Sequence, residues 1–336
     1  MKRLSKNKEA YVYAALVVLL VLSVALGLLV GAVRITPSEL FGVLTGESTD
    51  TTAARILLMV RLPRVLAGIV CGAALAVSGA VIQGVLANGL ASPSIIGVNS
   101  GAGLAVTLCS ALGILGGARV SLFAFLGAFG AVMTVSAGAK RWGTSKGTLI
   151  LMGVALNALL GAVSDAVVTV VPDAGVMSND FRVGDFSAVT YARLIPAAAA
   201  VILAIAVLMT MSNELDVLTL GEDTASSLGM NTRAKRLIFL TLSALLAGAA
   251  VSLCGLLSFV GLLVPHAVRR IACSRPKHLI PMSALLGAGF VTLCDTLSRV
   301  LFSPYELPVG IIMAFIGAPF FVVILVRKGG ADSDRD

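Results

Sequence analysis

Ala14–Val33 reads AALVVLLVLSVALGLLVGAV, and this stretch decides the fold. It holds no charged residue over 20 positions, the length an α-helix needs to cross about 30 Å of hydrocarbon. Pro196–Met211 (PAAAAVILAIAVLMTM) has the same character. Inside lipid, only helices and closed barrels pair every backbone N–H and C=O. Barrel strands alternate apolar and polar residues over roughly ten positions. Neither run alternates, so the spans are read as helices. The first run leads into further spans without an Ala-x-Ala cleavage pattern, so it is read as a retained helix.

Composition extends this reading to the whole chain. Of 336 residues, 58% are hydrophobic and 12% charged, with a mean hydropathy of +1.01. Soluble domains carry roughly 25% charged residues. Ten hydrophobic segments follow one another at about 10–33, 62–87, 93–113, 118–139, 147–171, 190–211, 234–254, 258–271, 278–301 and 307–327. The eighth is short for a full span. The loops are short as well, so residues 1–336 are expected to form a single transmembrane domain.

The net charge of +8 raises the question of nucleic acid. With a cytoplasmic N-terminus and alternating segments, 17 Lys and Arg fall inside and 8 outside. The inside set includes Lys2, Arg3, Lys140, Arg141, Arg233, Arg269 and Arg270; the outside set includes Arg34, Arg61, Arg64 and Arg299. The positive-inside rule therefore places both termini in the cytoplasm. The basic charge is explained by membrane orientation, and no nucleic-acid partner is expected.

Several kinds of chemistry lack their motifs. The stretch nearest to a phosphate-binding loop, Gly138–Lys146 (GAKRWGTSK), has no Lys directly after its second glycine. The cysteines Cys71, Cys109, Cys254, Cys273 and Cys294 form no CxxC pair and read as packing residues. His266 and His278 have no His or Cys at ligand spacing, so no metal site is expected. Ser100, in Gly97-Val-Asn-Ser-Gly101, lacks the GxSxG spacing of a nucleophile elbow. The acids within spans are Asp165 and Asp295, and an intramembrane acid is a functional candidate by default. Asp295 stands four residues before Arg299, on the same helix face, where the two can pair. Two isolated acids and no internal repeat argue against a proton-coupled secondary transporter.

Glycine marks where helices pack. Gly68-x-x-x-Gly72 has the spacing that lets membrane helices approach closely, and Gly79, Gly84, Gly97, Gly101 and Gly103 continue the pattern. The inner loop Ser212–Arg233 (SNELDVLTLGEDTASSLGMNTR) carries four acids and no base until its end. Gly221 and Gly229 punctuate two short helical turns. Leu218, Leu220, Ala225 and Leu228 are expected to share one apolar face. The acidic balance disfavours rest on an anionic lipid surface, so the loop reads as a docking element for a cytoplasmic partner.

Two long stretches resemble a known family. Arg61–Leu104 reads RLPRVLAGIVCGAALAVSGAVIQGVLANGLASPSIIGVNSGAGL; Phe259–Phe320 opens FVGLLVPHAVRR and closes ELPVGIIMAFIGAPF. Together with Met152–Leu156 and Leu220–Gly229 they are similar to the FecCD-type permeases of ABC importers for ferric siderophores, haem and cobalamin. The resemblance covers nearly the whole chain. It implies ten helices per subunit and a permease dimer, with an identical second subunit expected. It also implies two ABC ATPase subunits below and an extracytoplasmic substrate-binding protein above, in the cytoplasmic (inner) membrane of a prokaryote. No cofactor is expected in this chain, since ATP and Mg would sit on the partner ATPase. The implied cargo is an iron–siderophore complex, with haem or cobalamin as alternatives.

The resemblance also assigns residues. Leu220, Gly221, Glu222, Asp223, Ala225, Leu228 and Gly229 would contact the ATPase. Arg61, Arg64 and Arg299 would meet carboxylates of the binding protein, in keeping with their outer position and with arginine's bidentate geometry. Asn88 and Leu90, with Gly147 and Thr148, would form the cytoplasmic gate. His266 in the VPH motif reads as structural. Phe181–Phe186 (FRVGDF) departs from the Trp-x-x-Gly-Ser-like stretch of relatives.

Overall fold

A chain in lipid must satisfy its backbone within each segment, and this one does so with helices; no strand occurs among the described residues. The computed structural model describes residues 6–31, 35–46, 51–142, 146–272, 274–303 and 305–333. Lys2, Arg3, Arg34, Cys273 and part of the 138–146 stretch lie outside them.

In chain order the helices are α1 (Lys6–Leu29), α2 (Pro37–Leu44), α3 (Thr52–Ile56), α4 (Leu62–Leu86), α5 (Val98–Ala111), α6 (Gly117–Trp142), α7 (Lys146–Val170), α8 (Ala174–Val183), α9 (Tyr191–Thr210), α10 (Ser212–Thr219), α11 (Glu222–Ser227), α12 (Thr232–Cys254), α13 (Val260–Ile271), α14 (Pro276–Val300) and α15 (Val309–Ser333). Each of the ten expected segments contains one of them. Among the described residues, seven helical stretches are long and apolar enough to cross a membrane, and Val98–Ala111 and Val309–Val323 are shorter apolar helices. The eighth segment is the 12-residue α13, as short as its sequence suggested.

The outer loops hold more order than expected. Thr36 caps α2 through a reciprocal capping box with Glu39, with Pro37 in the first turn. The α3 helix runs through a π turn, Leu57–Arg61, directly into α4. The α8 helix was not anticipated either.

Burial separates centre from rim. In the span Thr52–Leu86, 78% of the most apolar window is buried, against 17% in Gly147–Val170. The α4 helix is the axis, with α14 and α12 packed on it. Small residues make this possible. Gly72 faces the backbone of Gly287 so closely that a Cβ on either would overlap the other's carbonyl. On the α12 side, the Ser78 hydroxyl donates to the Ser243 carbonyl at 2.8 Å, and Ser243 returns the bond to Ser78 at 3.0 Å. Gln83 near the inner end of α4 donates to the Gly261 carbonyl of α13 at 3.1 Å and accepts from Arg269. The four described cysteines are free and buried.

Gly72→Ala is therefore expected to force α4 and α14 apart. Overpacking of this kind costs about 1–3 kcal/mol. Thermal unfolding of the purified protein should show a Tm lowered by several degrees; an unchanged Tm would mean the crossing has slack.

Candidate functional site

The outer end of the bundle gathers the charged residues that the sequence scattered. The π turn ends with the Leu62 N–H bonded to the Leu57 carbonyl, and π turns concentrate at functional positions. Regular helix resumes at Leu62-Pro63, and Arg61 and Arg64, one turn apart, are both turned into the protein.

Arg64 is the hub. Its Nε donates to Asp295 Oδ1 at 2.8 Å and its Nη1 to Glu306 Oε2 at 2.7 Å. Its Nη2 lies 3.7 Å from Asp185 Oδ1 and is buried without a hydrogen bond among the described residues. Arg299 Nε sits 3.3 Å from Asp295 Oδ2, so the expected helix-face pair forms. Arg299 Nη2 also donates to the Gly27 carbonyl at 3.1 Å, and Arg61 Nη1 to Leu28 at 2.6 Å. These carbonyls end α1, where the helix dipole is negative and acceptors are otherwise orphaned. The cluster thus ties α1, α4, α14 and the loops carrying Asp185 and Glu306.

Arg61, Arg64 and Arg299 come together at the outer end, but they are only 4%, 4% and 3% exposed. Arg64 and Arg299 pair with Asp295, Asp185 and Glu306, and with Arg61 beside them the three arginines and three acids are formally neutral. Burial demands that balance, because an uncompensated charge inside the protein is costly. Asp185 and Glu306 were missed as members. Their signal was weak: single acids in two outer loops, with nothing in the spacing to join them.

The remaining span acid is different. Asp165 is exposed and pairs with Arg182 at 3.3 Å, a surface contact. Ser100 donates to the Asn157 amide oxygen at 2.7 Å, and Asn157 donates to the Ser94 carbonyl at 3.0 Å. Its hydroxyl fastens α5 to α7 and has an amide, not an imidazole, as partner.

At the inner end, α4 stops where Ala87 turns left-handed at φ 48°. Asn88 Oδ1 then accepts the Leu90 N–H at 2.9 Å, closing an Asx turn. Asn88 is exposed and Leu90 half-buried. Gly147 and Thr148 lie in the first turn of α7, exposed and half-buried.

The inner loop folds as α10 and α11, hinged at Gly221 with φ 112° and closed at Gly229 with φ 80°. Two ion pairs strap it to α12. Lys235 reaches Glu214 at 3.1 Å, and Arg236 reaches Glu222 at 2.8 Å. The Glu214 carboxyl is held below its usual range by its own backbone N–H and by Lys235. The expected single apolar face is split. Leu218 and Ala225 are buried, with Leu215 packed beside Gly84. Leu220 and Leu228 are 58% and 66% exposed and point away. A short helix shows its residues all round, and the bundle took the face nearest to it.

Comparison with known proteins places this architecture. A model of the FecCD transport family matches residues 19–327. The hemin transport system permease protein HmuU of Yersinia pestis is 35% identical over 295 residues, covering 86% of this chain and 88% of its own. The cobalamin import system permease protein BtuC of Halobacterium salinarum is 40% identical over 279 residues, covering 82% of this chain and 74% of its own. A solved structure of a metal-chelate type ABC transporter in an inward-facing conformation superposes with a TM-score of 0.84 at 28% identity, covering 95% of this chain and 99% of that one. ABC transporter permeases work with ATPases and binding proteins. The chain belongs to the FecCD transport family and is an ABC importer permease of the metal-chelate type.

Proposed function

We propose that this chain forms, with a second copy of itself, the pathway by which an iron–siderophore complex crosses the inner membrane of a prokaryote. ATP is hydrolysed on two partner ATPases beneath the Ser212–Arg233 loop, and cargo arrives from a binding protein on the outer face. The observation that carries this reading is the inner loop: two short helices, strapped to α12 by two ion pairs, present Leu220 and Leu228 outward. Exposed leucines on a rigid, acidic cytoplasmic loop suit a protein groove better than an anionic lipid surface. The relatives described above are named for hemin and cobalamin, both bulky metal chelates, which supports a chelate cargo. Titrating the cognate binding protein with ferric siderophores, haem and cobalamin tests the cargo: tight binding of a ferric siderophore is expected, and selective binding of haem or cobalamin would overturn it.

Docking of the binding protein is proposed to proceed by exchange. Glu306 is the most exposed partner of Arg64, at 40% of its side chain, and Arg64 Nη2 keeps an open donor. A carboxylate from the binding protein would displace Glu306 and take the guanidinium fork. Glu306→Gln removes the competitor and is expected to tighten docking about two- to fivefold, the scale of a partly exposed ion pair. Binding measured by surface plasmon resonance at low salt checks this; an unchanged or weaker affinity would sink the exchange.

A further inference from the structure

A cavity of about 430 Å³ opens between the inner ends of α6 and α12 and the start of α7. Its walls include the buried Ala139, Leu149 and Leu240, while Asn231 and Arg233 on its rim are exposed. The Ser136 hydroxyl also lines it, 9% exposed and without a hydrogen-bond partner among the described residues. A buried hydroxyl left unpaired costs free energy that a ligand acceptor would recover. The rim carries usable charge as well. Lys235 and Arg236 have their glutamates, but Arg233 has no carboxylate within ion-pair distance among the described residues. Exposed Arg141 follows at the end of α6.

We propose that this cavity is a site for an anionic phospholipid of the inner leaflet. Its phosphate would lie against Arg233 and Asn231 at the rim, with its upper acyl chain along the apolar wall. The site combines a basic rim, an apolar lining and a position at the cytoplasmic membrane surface, the features that select acidic headgroups. A free phosphate would use the rim and leave the apolar wall wet. A soluble nucleotide would call for a phosphate-binding loop, and the sequence has no Walker A motif. The site also touches the coupling loop. Arg236 lines the cavity and donates to Glu222 of α11 at 2.8 Å, so an occupied headgroup sits one side chain from the loop.

The test uses the full-length protein purified in detergent. It is exposed to phosphatidylglycerol and phosphatidylcholine at equal concentration, and retained lipid is counted by native mass spectrometry. Preferential retention of phosphatidylglycerol is expected. Arg233→Gln should weaken that retention about fivefold, the effect of one base near an anionic headgroup. Ser136→Leu, which fills the cavity, should abolish it. Arg233 is exposed, so its variant keeps the test decisive if Ser136→Leu fails to fold. Equal retention of both lipids, an Arg233→Gln protein indistinguishable from wild type, or displacement by millimolar inorganic phosphate would each overturn the proposal.

Discussion

Arg64→Leu is expected to destabilise the permease by about 3–5 kcal/mol, the usual consequence of removing one partner from a buried ion pair. Asp295 is 1% exposed and takes its shortest contact, 2.8 Å, from Arg64. Without that guanidinium, Asp295 keeps, among the described residues, Arg299 at 3.3 Å as its one cationic partner. Glu306 and Asp185 lose their partner too, so the link from α4 to both outer loops fails with it. Reduced yield and a sharply lowered Tm in detergent are the readouts. The double variant Arg64→Leu/Asp295→Asn removes the stranded charge and should recover at least half of the loss, because residues within one network are not additive. A single variant within about 0.5 kcal/mol of wild type would place the cluster among surface ion pairs and remove the reason for its burial.

The second large effect concerns coupling, not stability. Leu220→Asp/Leu228→Asp is expected to abolish ATP-dependent transport while leaving the fold intact. Both side chains are more than half exposed, so neither is needed for packing. Apolar anchors at the centre of an interface contribute about 2 kcal/mol each, and losing two weakens the ATPase complex roughly a thousandfold. Leu218→Asp supplies the contrast. Leu218 is 4% exposed against the bundle, so its replacement should damage folding itself. Co-purification of the ATPase with each variant separates the cases. If the Leu220→Asp/Leu228→Asp protein still holds and stimulates its ATPase, the loop's outward face is not the contact.

The helices were legible because lipid imposes a length and an apolarity that few other structures share. Pairing of Asp295 with Arg299 was legible because both lie on one helix face, four residues apart. Close packing at Gly68-x-x-x-Gly72 was legible for the same reason of spacing, and Gly72 does meet a backbone. The α2 helix does carry a local signal, the capping box of Thr36-Pro-Ser-Glu39, but it is hidden in a loop between long apolar runs. Burial of Arg61, Arg64 and Arg299 has no such signal. It depends on Glu306 and Asp185, which reach Arg64 across 242 and 121 residues of sequence. The division of the inner loop's leucines likewise depends on which side of α10 and α11 the bundle occupies. Local spacing determines neither.

We propose that this chain is a pathway driven by ATP hydrolysis on another subunit. The most direct test is uptake of a radiolabelled ferric siderophore into proteoliposomes carrying the permease and its ATPase, with the binding protein outside. Accumulation is predicted only when all three proteins and enclosed ATP are present, and it should persist when a protonophore collapses the pH gradient. Accumulation by the permease alone, driven by an imposed pH gradient without ATP, would contradict the account.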